Sequence, residues 1–481
     1  WLQEGQVALS PSHPITLLAS TWEYLYLWPQ LMLTQSPDRG LALAQWFSQW
    51  IHVLIGFGGT VLAIFSFTNF VTARTELRLF CTALAIGAGP MIWTAPLAKN
   101  DWGATYWLSL SALVLIYSYS KKILNPKDAF LIGLFSALSF VTKFTSVFAL
   151  LPLLLWILPL LALEKRVKPA LSLGIGALVI LIPISVRNLS LTGTPFFPVS
   201  LSFWPSSVLG PTESSILSSY RYAHILVEVP YVLAQRVLEL FALQKPALLS
   251  LLPIAAIAFL AKKIRPALPS PSMAMSIYVT SLLSFLLFVF GLKGNAQLRL
   301  LGPGLVLLGL SFGASTSWLL SCPPFPFVRR YLIPLLPWLT AIACGLIPLY
   351  PLMQLSPQRY QFPHQAVLKD SNGYAKAWLR AHAKKTDLII SDGDNELYYL
   401  GGYDIRITDK DPDLDKLLVS SPTPALVAAS LRKIDARWFL EGPGFPLRLR
   451  KALSLPDQLL SEATVFEKDG QRVIDLRQLL N

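Results

Sequence analysis

The sequence predicts a mainly α protein. It reads as a polytopic transmembrane bundle of about ten helices, with a first helix expected upstream of Trp1, carrying a small C-terminal α/β domain on the extracytoplasmic side. Three observations predict it. Hydrophobic residues make up 53% of the chain and charged ones 14%, more apolar surface than a soluble core hides. Apolar runs recur at close to the length that crosses about 30 Å of hydrocarbon. Basic residues fall in alternate loops, as the positive-inside rule requires.

In order, the runs are Leu41–Phe67, Leu77–Pro96, Ala104–Tyr119, Ala129–Val141, Ser146–Leu163, Pro169–Val186, Pro246–Ala261, Met275–Leu292, Leu300–Leu320 and Tyr331–Met353. One set of loops holds Arg74 and Arg78; Lys121, Lys122 and Lys127; Lys165, Arg166 and Lys168; Lys262, Lys263 and Arg265; Arg329 and Arg330. Against these stand only Glu76, Asp128 and Glu164, so that set is assigned to the cytoplasm. The net charge of +13 therefore reflects membrane topology, not nucleic-acid binding. Cys81, Cys322 and Cys344 form neither a disulfide framework nor a CxxC metal pattern.

The other side of the membrane then receives the N-terminal segment 1–40, the polar hairpin stretch Ala95–Trp107, a long loop over 187–245 and the tail from 354. Its few charges recur at helix mouths: Lys99, Asp101, Lys143, Arg187, Lys293 and Arg299. Each alone reads as a snorkelling anchor or loop charge. Together on one face they suit an anionic, membrane-anchored ligand. Within the long loop, Glu213–Leu243 reads as an amphipathic helix lying on the membrane surface.

Residues 1–353 thus form the membrane module and 354–481 a soluble domain. In the tail, Thr386–Asp392, Tyr403–Thr408 and Ala436–Gly442 read as strands, and Ser371–Ala383 and Pro424–Ile434 as helices. Ala463–Lys468 and Gln471–Leu476 read as a hairpin across Asp469-Gly470. The run Asp409–Asp415 fails as a calcium loop, because Leu414 and Ser420 stand where glycine and glutamate are needed. It reads as a solvated acidic loop.

Several stretches carry a family resemblance. WLQEGQVALSPSHPITLLASTWEYLYL, QWIHVLIGFGG, TAPLAKNDWGATYW, ALSFVTKFTSVFALLPLLL and ISVRNLSLTGTPFFPVS occur in the order of features of GT-C glycosyltransferases. They are similar in particular to the bacterial relatives of protein O-mannosyltransferases. The resemblance covers 1–210 well and the remainder only in layout. It maps Glu23 and His52 onto a glutamate and a histidine of the family, and Asp101 onto the acidic residue of the second outer loop. Lys143 falls on a lysine turn between helices, and Arg187 and Asn188 on an arginine–asparagine segment.

The resemblance implies inverting transfer of a sugar from a polyprenyl-phosphate donor to a glycan, lipid or protein acceptor at the outer face of a bacterial plasma membrane, without a metal or other cofactor. Asp101 and Glu23 would be catalytic carboxylates. Lys99, Lys143, Arg187, Asn188 and Arg299 would bind substrate. A carboxylate can deprotonate or orient a hydroxyl, and fixed cations stabilise a departing phosphate. The resemblance implies that the family's principal catalytic aspartate, which follows the first helix, would be expected upstream of Trp1. Asp101→Asn keeps size and shape, so folding is expected to survive it. A polytopic transporter or flippase and a non-catalytic scaffold share the same composition. Ionisable residues at mid-membrane in paired repeats would mark the transporter.

Overall fold

The computed structural model describes residues 47–73, 75–86, 101–162, 167–195, 373–392, 403–409, 411–420, 423–442 and 447–480, with isolated positions at Leu25 and between 279 and 335. The chain divides into two compact units, one holding the helices up to Ile184 and the other the sheet within Gln358–Asn481.

In the helical unit, α1 (Phe47–Thr68) contains a π-helical stretch, His52–Gly58. Gly59 lets it approach the third helix, since a Cβ there would meet the Tyr106 ring at 2.6 Å. A short helix, α2 (Thr75–Ile86), follows, and Arg78 donates back to the Phe65 carbonyl of α1 at 3.1 Å.

The hairpin α3 (Asp101–Lys121) and α4 (Pro126–Thr142) comes next. α4 starts where Asn125 accepts from the Asp128 amide at 2.8 Å and Pro126 occupies the first turn, both standard helix starters. At 21 residues α3 is about 31 Å long, enough to match a hydrocarbon core. It buries Trp102, Leu108, Leu115 and Ile116 completely or nearly so, and Trp102 meets Phe57 of α1 edge-on at 4.8 Å.

The fifth apolar run is not one helix, as its hydropathy predicts. It breaks into α5 (Val147–Leu154) and α6 (Ile157–Ala162). Pro159 has no N–H for the Leu155 carbonyl, so an i→i−4 bond is missing at that point. The sixth run is longer than predicted: α7 (Val167–Thr192) passes beyond Val186 and stops at Gly193, whose φ of 72° suits only a left-handed cap. Positions 187–192, expected as the start of a long loop, are therefore helical, and 196–245 lie outside the described residues. α7 crosses α4 at two glycines: a Cβ on Gly133 would lie 2.1 Å from the Leu173 carbonyl oxygen, and one on Gly176 2.2 Å from that of Phe130.

Among the described residues, α1 and α7 are the two helices long and apolar enough to cross a membrane. α3 is more polar because serines face its helix partners. The predicted runs from Pro246 to Met353 lie outside the described residues, apart from isolated helical positions, as does the predicted helix Glu213–Leu243.

The second unit follows the local pattern closely. Its elements are α8 (Gly373–His382), β1 (Leu388–Ser391), β2 (Asp404–Ile407), α9 (Pro412–Val419), α10 (Pro424–Lys433), β3 (Ala436–Glu441), α11 (Arg448–Ala452), α12 (Asp457–Ala463), β4 (Thr464–Lys468), β5 (Gln471–Asp475) and α13 (Leu476–Leu480). The sheet order is β2-β1-β3-β5-β4; β1 runs parallel to β2 and β3, β5 runs antiparallel to β3, and β4 pairs antiparallel with β5. Asp469 (φ 49°) and Gly470 (φ 75°) make the tight turn that joins that hairpin.

Alternation splits the side chains between two cores. Leu388, Ile390 and Phe439 pack with Val427, Leu431 and Leu449, while Ile389, Trp438 and Leu440 pack under α8 with Ala375 and Leu379. The run Asp409–Asp415 is not a solvated loop. Asp411 caps α9 by accepting from the Asp413 and Leu414 amides, and the buried Asp415 pairs with Arg448 at 3.0 Å. A proline after an aspartate favours that helix start, and burial of the first-turn carboxylate follows.

Candidate functional site

The helical unit places an ion pair at one end of the α3–α4 hairpin. Asp101 is the first residue of α3 and is 2% exposed; Lys143 is the residue that ends α4. Their side chains are in contact, with Lys143 Nζ on Asp101 Oδ1. The two helices run antiparallel, so the start of one meets the end of the other. A carboxylate in a helix's first turn also faces the positive end of its dipole.

The stretch Ala95–Trp107 is thus not a loop throughout, because helix α3 begins inside it at Asp101. Among the described residues the cation that meets Asp101 is Lys143, whose side chain is 11% exposed. Lys99 lies outside the described residues, as do Glu23, Lys293 and Arg299.

Arg187 and Asn188 sit in the last turns of α7, not beyond it. Arg187 Nη1 donates to Asn188 Oδ1 at 3.2 Å, and Asn188 Nδ2 donates to the Pro195 carbonyl at 3.5 Å. His52 is buried inside α1, where it opens the π-helical stretch.

Hydroxyls that the sequence reading passed over surround the pair. Thr105 Oγ1 donates to the Asp101 carbonyl at 2.8 Å, and Ser139 Oγ of α4 donates to the Ala104 carbonyl of α3 at 2.8 Å. Further along the same interface, Ser111 and Ser136 hydroxyls meet at 2.9 Å. The signal for them was available: serines recur inside otherwise apolar runs, where bundled helices use small polar residues to approach closely.

The sheet unit holds its own buried carboxylates. Asp392, at the carboxyl end of β1, accepts from Thr408 Oγ1 at 2.5 Å and from the Leu449 amide at 3.0 Å; burial pushes its pKa up despite those bonds. Burial works upward on Asp387 too, but the Lys384 amide, the Trp438 indole N–H and Arg437 outweigh it and hold its carboxyl below the usual range. Among the described residues no group of His, Cys, Asp and Glu is arranged to hold a metal ion.

The described residues comprise a helical hairpin that closes a buried carboxylate–ammonium pair at one end and, later in the sequence, a small mixed α/β sheet unit. No family model matches the chain and no curated protein matches it in sequence. In fold it is similar to the crystal structure of ArnT from Cupriavidus metallidurans bound to undecaprenyl phosphate. The TM-score is 0.53 at 15% identity, over 94% of this chain and 87% of that one. The chain therefore shares the fold of that protein, and its own described residues are mostly helical with a small C-terminal sheet.

Proposed function

We propose that this chain is an integral membrane glycosyltransferase of GT-C type, moving a sugar with inversion from a polyprenyl-phosphate donor to an acceptor at the outer face. The observation that carries the reading is the Asp101–Lys143 pair at the end of the α3–α4 hairpin. It occurs in a fold shared with a protein that was crystallised with undecaprenyl phosphate. A helix of about 31 Å puts its two ends at the two borders of a hydrocarbon core, where a lipid-linked phosphate resides.

In this reading Lys143 supplies positive charge as the sugar–phosphate bond breaks and negative charge grows on the phosphate oxygens. Asp101 keeps the ammonium charged and aimed before substrate arrives. It then accepts a hydrogen bond from a sugar or acceptor hydroxyl when the phosphate takes over Lys143. Arg187, Asn188, Lys99 and Arg299 are proposed as further contacts to the donor, and Glu23 as a second carboxylate. Residues 1–353 act as the transferase module and 354–481 as an outer domain.

Undecaprenyl phosphate binding to the full-length protein in nanodiscs tests the phosphate half of this reading. Lys143→Ala should weaken binding by about tenfold or more, since a charge-assisted contact is worth roughly 1.5–3 kcal/mol. Lys143→Arg should keep most of it. Unchanged binding in a folded Lys143→Ala protein would remove Lys143 from the site. Transfer from a panel of undecaprenyl-phosphate sugars tests the remainder, with a loss of about 10²–10³ expected for the same variant.

A further inference from the structure

We infer that Ser139 and Ser146 form a hydroxyl clamp that positions Lys143 against Asp101. The clamp's role in catalysis rests on the function proposed above; its hold on Lys143 rests on geometry alone.

Lys143 stands in the gap between two helices, with extended φ and ψ of −152° and 110°. A residue there takes the last ladder bond of α4 and leaves the helix, and its backbone is tied on both sides. Its N–H donates to the Ser139 carbonyl at 3.0 Å, and its own carbonyl accepts the Ser146 amide at 2.9 Å. The Ser146 hydroxyl reaches the Ser139 carbonyl at 2.8 Å and also the Lys143 carbonyl, so one proton bridges the two sides of the turn. Ser139 in turn reaches across to α3 and donates to the Ala104 carbonyl at 2.8 Å, one turn into the helix that Asp101 begins.

Ser139 is fully buried and Ser146 is 1% exposed, so water does not replace these bonds when they are lost. The chain of contacts runs from the Asp101 helix through Ser139 to the Lys143 peptide, and Ser146 closes it. Both are positioning residues, acting through Lys143. A displacement of about 1 Å at such a cation is enough to cost a large part of the rate.

Ser111 supplies the control. It makes the same kind of bond across the same two helices, to Ser136, without touching the Lys143 turn. The test uses the full chain in nanodiscs and follows acetylation of the Lys143 amine by mass spectrometry. Ser139→Ala and Ser146→Ala should each raise its labelling rate about fivefold, the effect of one lost hydrogen bond of roughly 1 kcal/mol. Ser146→Thr, which keeps the hydroxyl, should restore protection, and Ser111→Ala should leave it as in the wild type. Undecaprenyl phosphate binding should weaken in parallel with labelling.

Unchanged labelling in both alanine variants overturns the clamp. An equal rise in Ser111→Ala also overturns it, by showing general loosening of the hairpin. Labelling that moves as expected in a protein that does not bind undecaprenyl phosphate upholds the clamp and refutes the phosphate reading instead.

Discussion

The helical unit and the sheet unit both bury carboxylates, and they treat them differently. Asp392 and Asp387 in the sheet unit are supplied with donors from several directions, including main-chain amides of Leu449 and Lys384. Such carboxylates are consumed by the fold: they tie a strand end to a helix or a loop. Among the described residues Asp101 pairs its carboxylate with one cation, Lys143, and its hydroxyl neighbours bond to main-chain carbonyls instead. An ionised carboxylate has about four acceptor sites, and among the described residues fewer of them are taken at Asp101 than at Asp392 or Asp387. The comparison separates carboxylates held by several donors from one held chiefly by a single cation.

The sharpest way to break the comparison is to remove one charge of the pair. Lys143→Ala or Asp101→Asn takes one charge out of the buried pair, and each should lower unfolding stability in detergent by about 3–5 kcal/mol. This revises the expectation that Asp101→Asn is silent for folding. The double variant Asp101→Asn/Lys143→Met should recover most of the loss. Two single losses that simply add in the double variant would mean the residues are not coupled.

Next in size is the crossing on which the hairpin leans. Gly176→Ala would drive a methyl into the Phe130 carbonyl and should destabilise by about 1–3 kcal/mol. Gly174→Ala, two residues away on the same helix, meets nothing within 4 Å and should be neutral or slightly stabilising. Equal Tm shifts for the two would contradict the crossing.

The sheet unit is probed by pH. Asp387 has a depressed pKa in the folded chain, so it contributes stability above the ordinary carboxylate range that is lost as pH falls below it. Asp387→Asn should cost about 1–3 kcal/mol at neutral pH and flatten the acid side of the curve. Asp392 has a raised pKa, so the folded state takes up its proton first and gains stability as pH falls through that window. Asp392→Asn should therefore be the mildest change at neutral pH, within about 1 kcal/mol, and should make the acid loss steeper. Hydrogen exchange of β1 and β3 amides, corrected for intrinsic pH dependence, reads both. A shift of the same sign in the two variants would erase the distinction between them.

What the sequence determined by itself was whatever one element decides within its own length. The three strands and two helices foreseen in the tail all occur, because alternation and helical spacing register burial directly, and Asp469-Gly470 supplies the left-handed backbone its turn requires. Short helices such as α9 and α11 escaped, since five to eight residues hold too few periods to read. Among the described residues of the helical unit hydropathy located runs but not their ends: Pro159 breaks one, and Gly193, not Arg187, ends another. The Asp101–Lys143 pair, the Ser139 and Ser146 contacts and the Gly133–Gly176 crossing were decided by tertiary structure alone. Each depends on how two helices approach and in which register, a matter of packed surfaces meeting across the chain. Local periodicity contains no term for that.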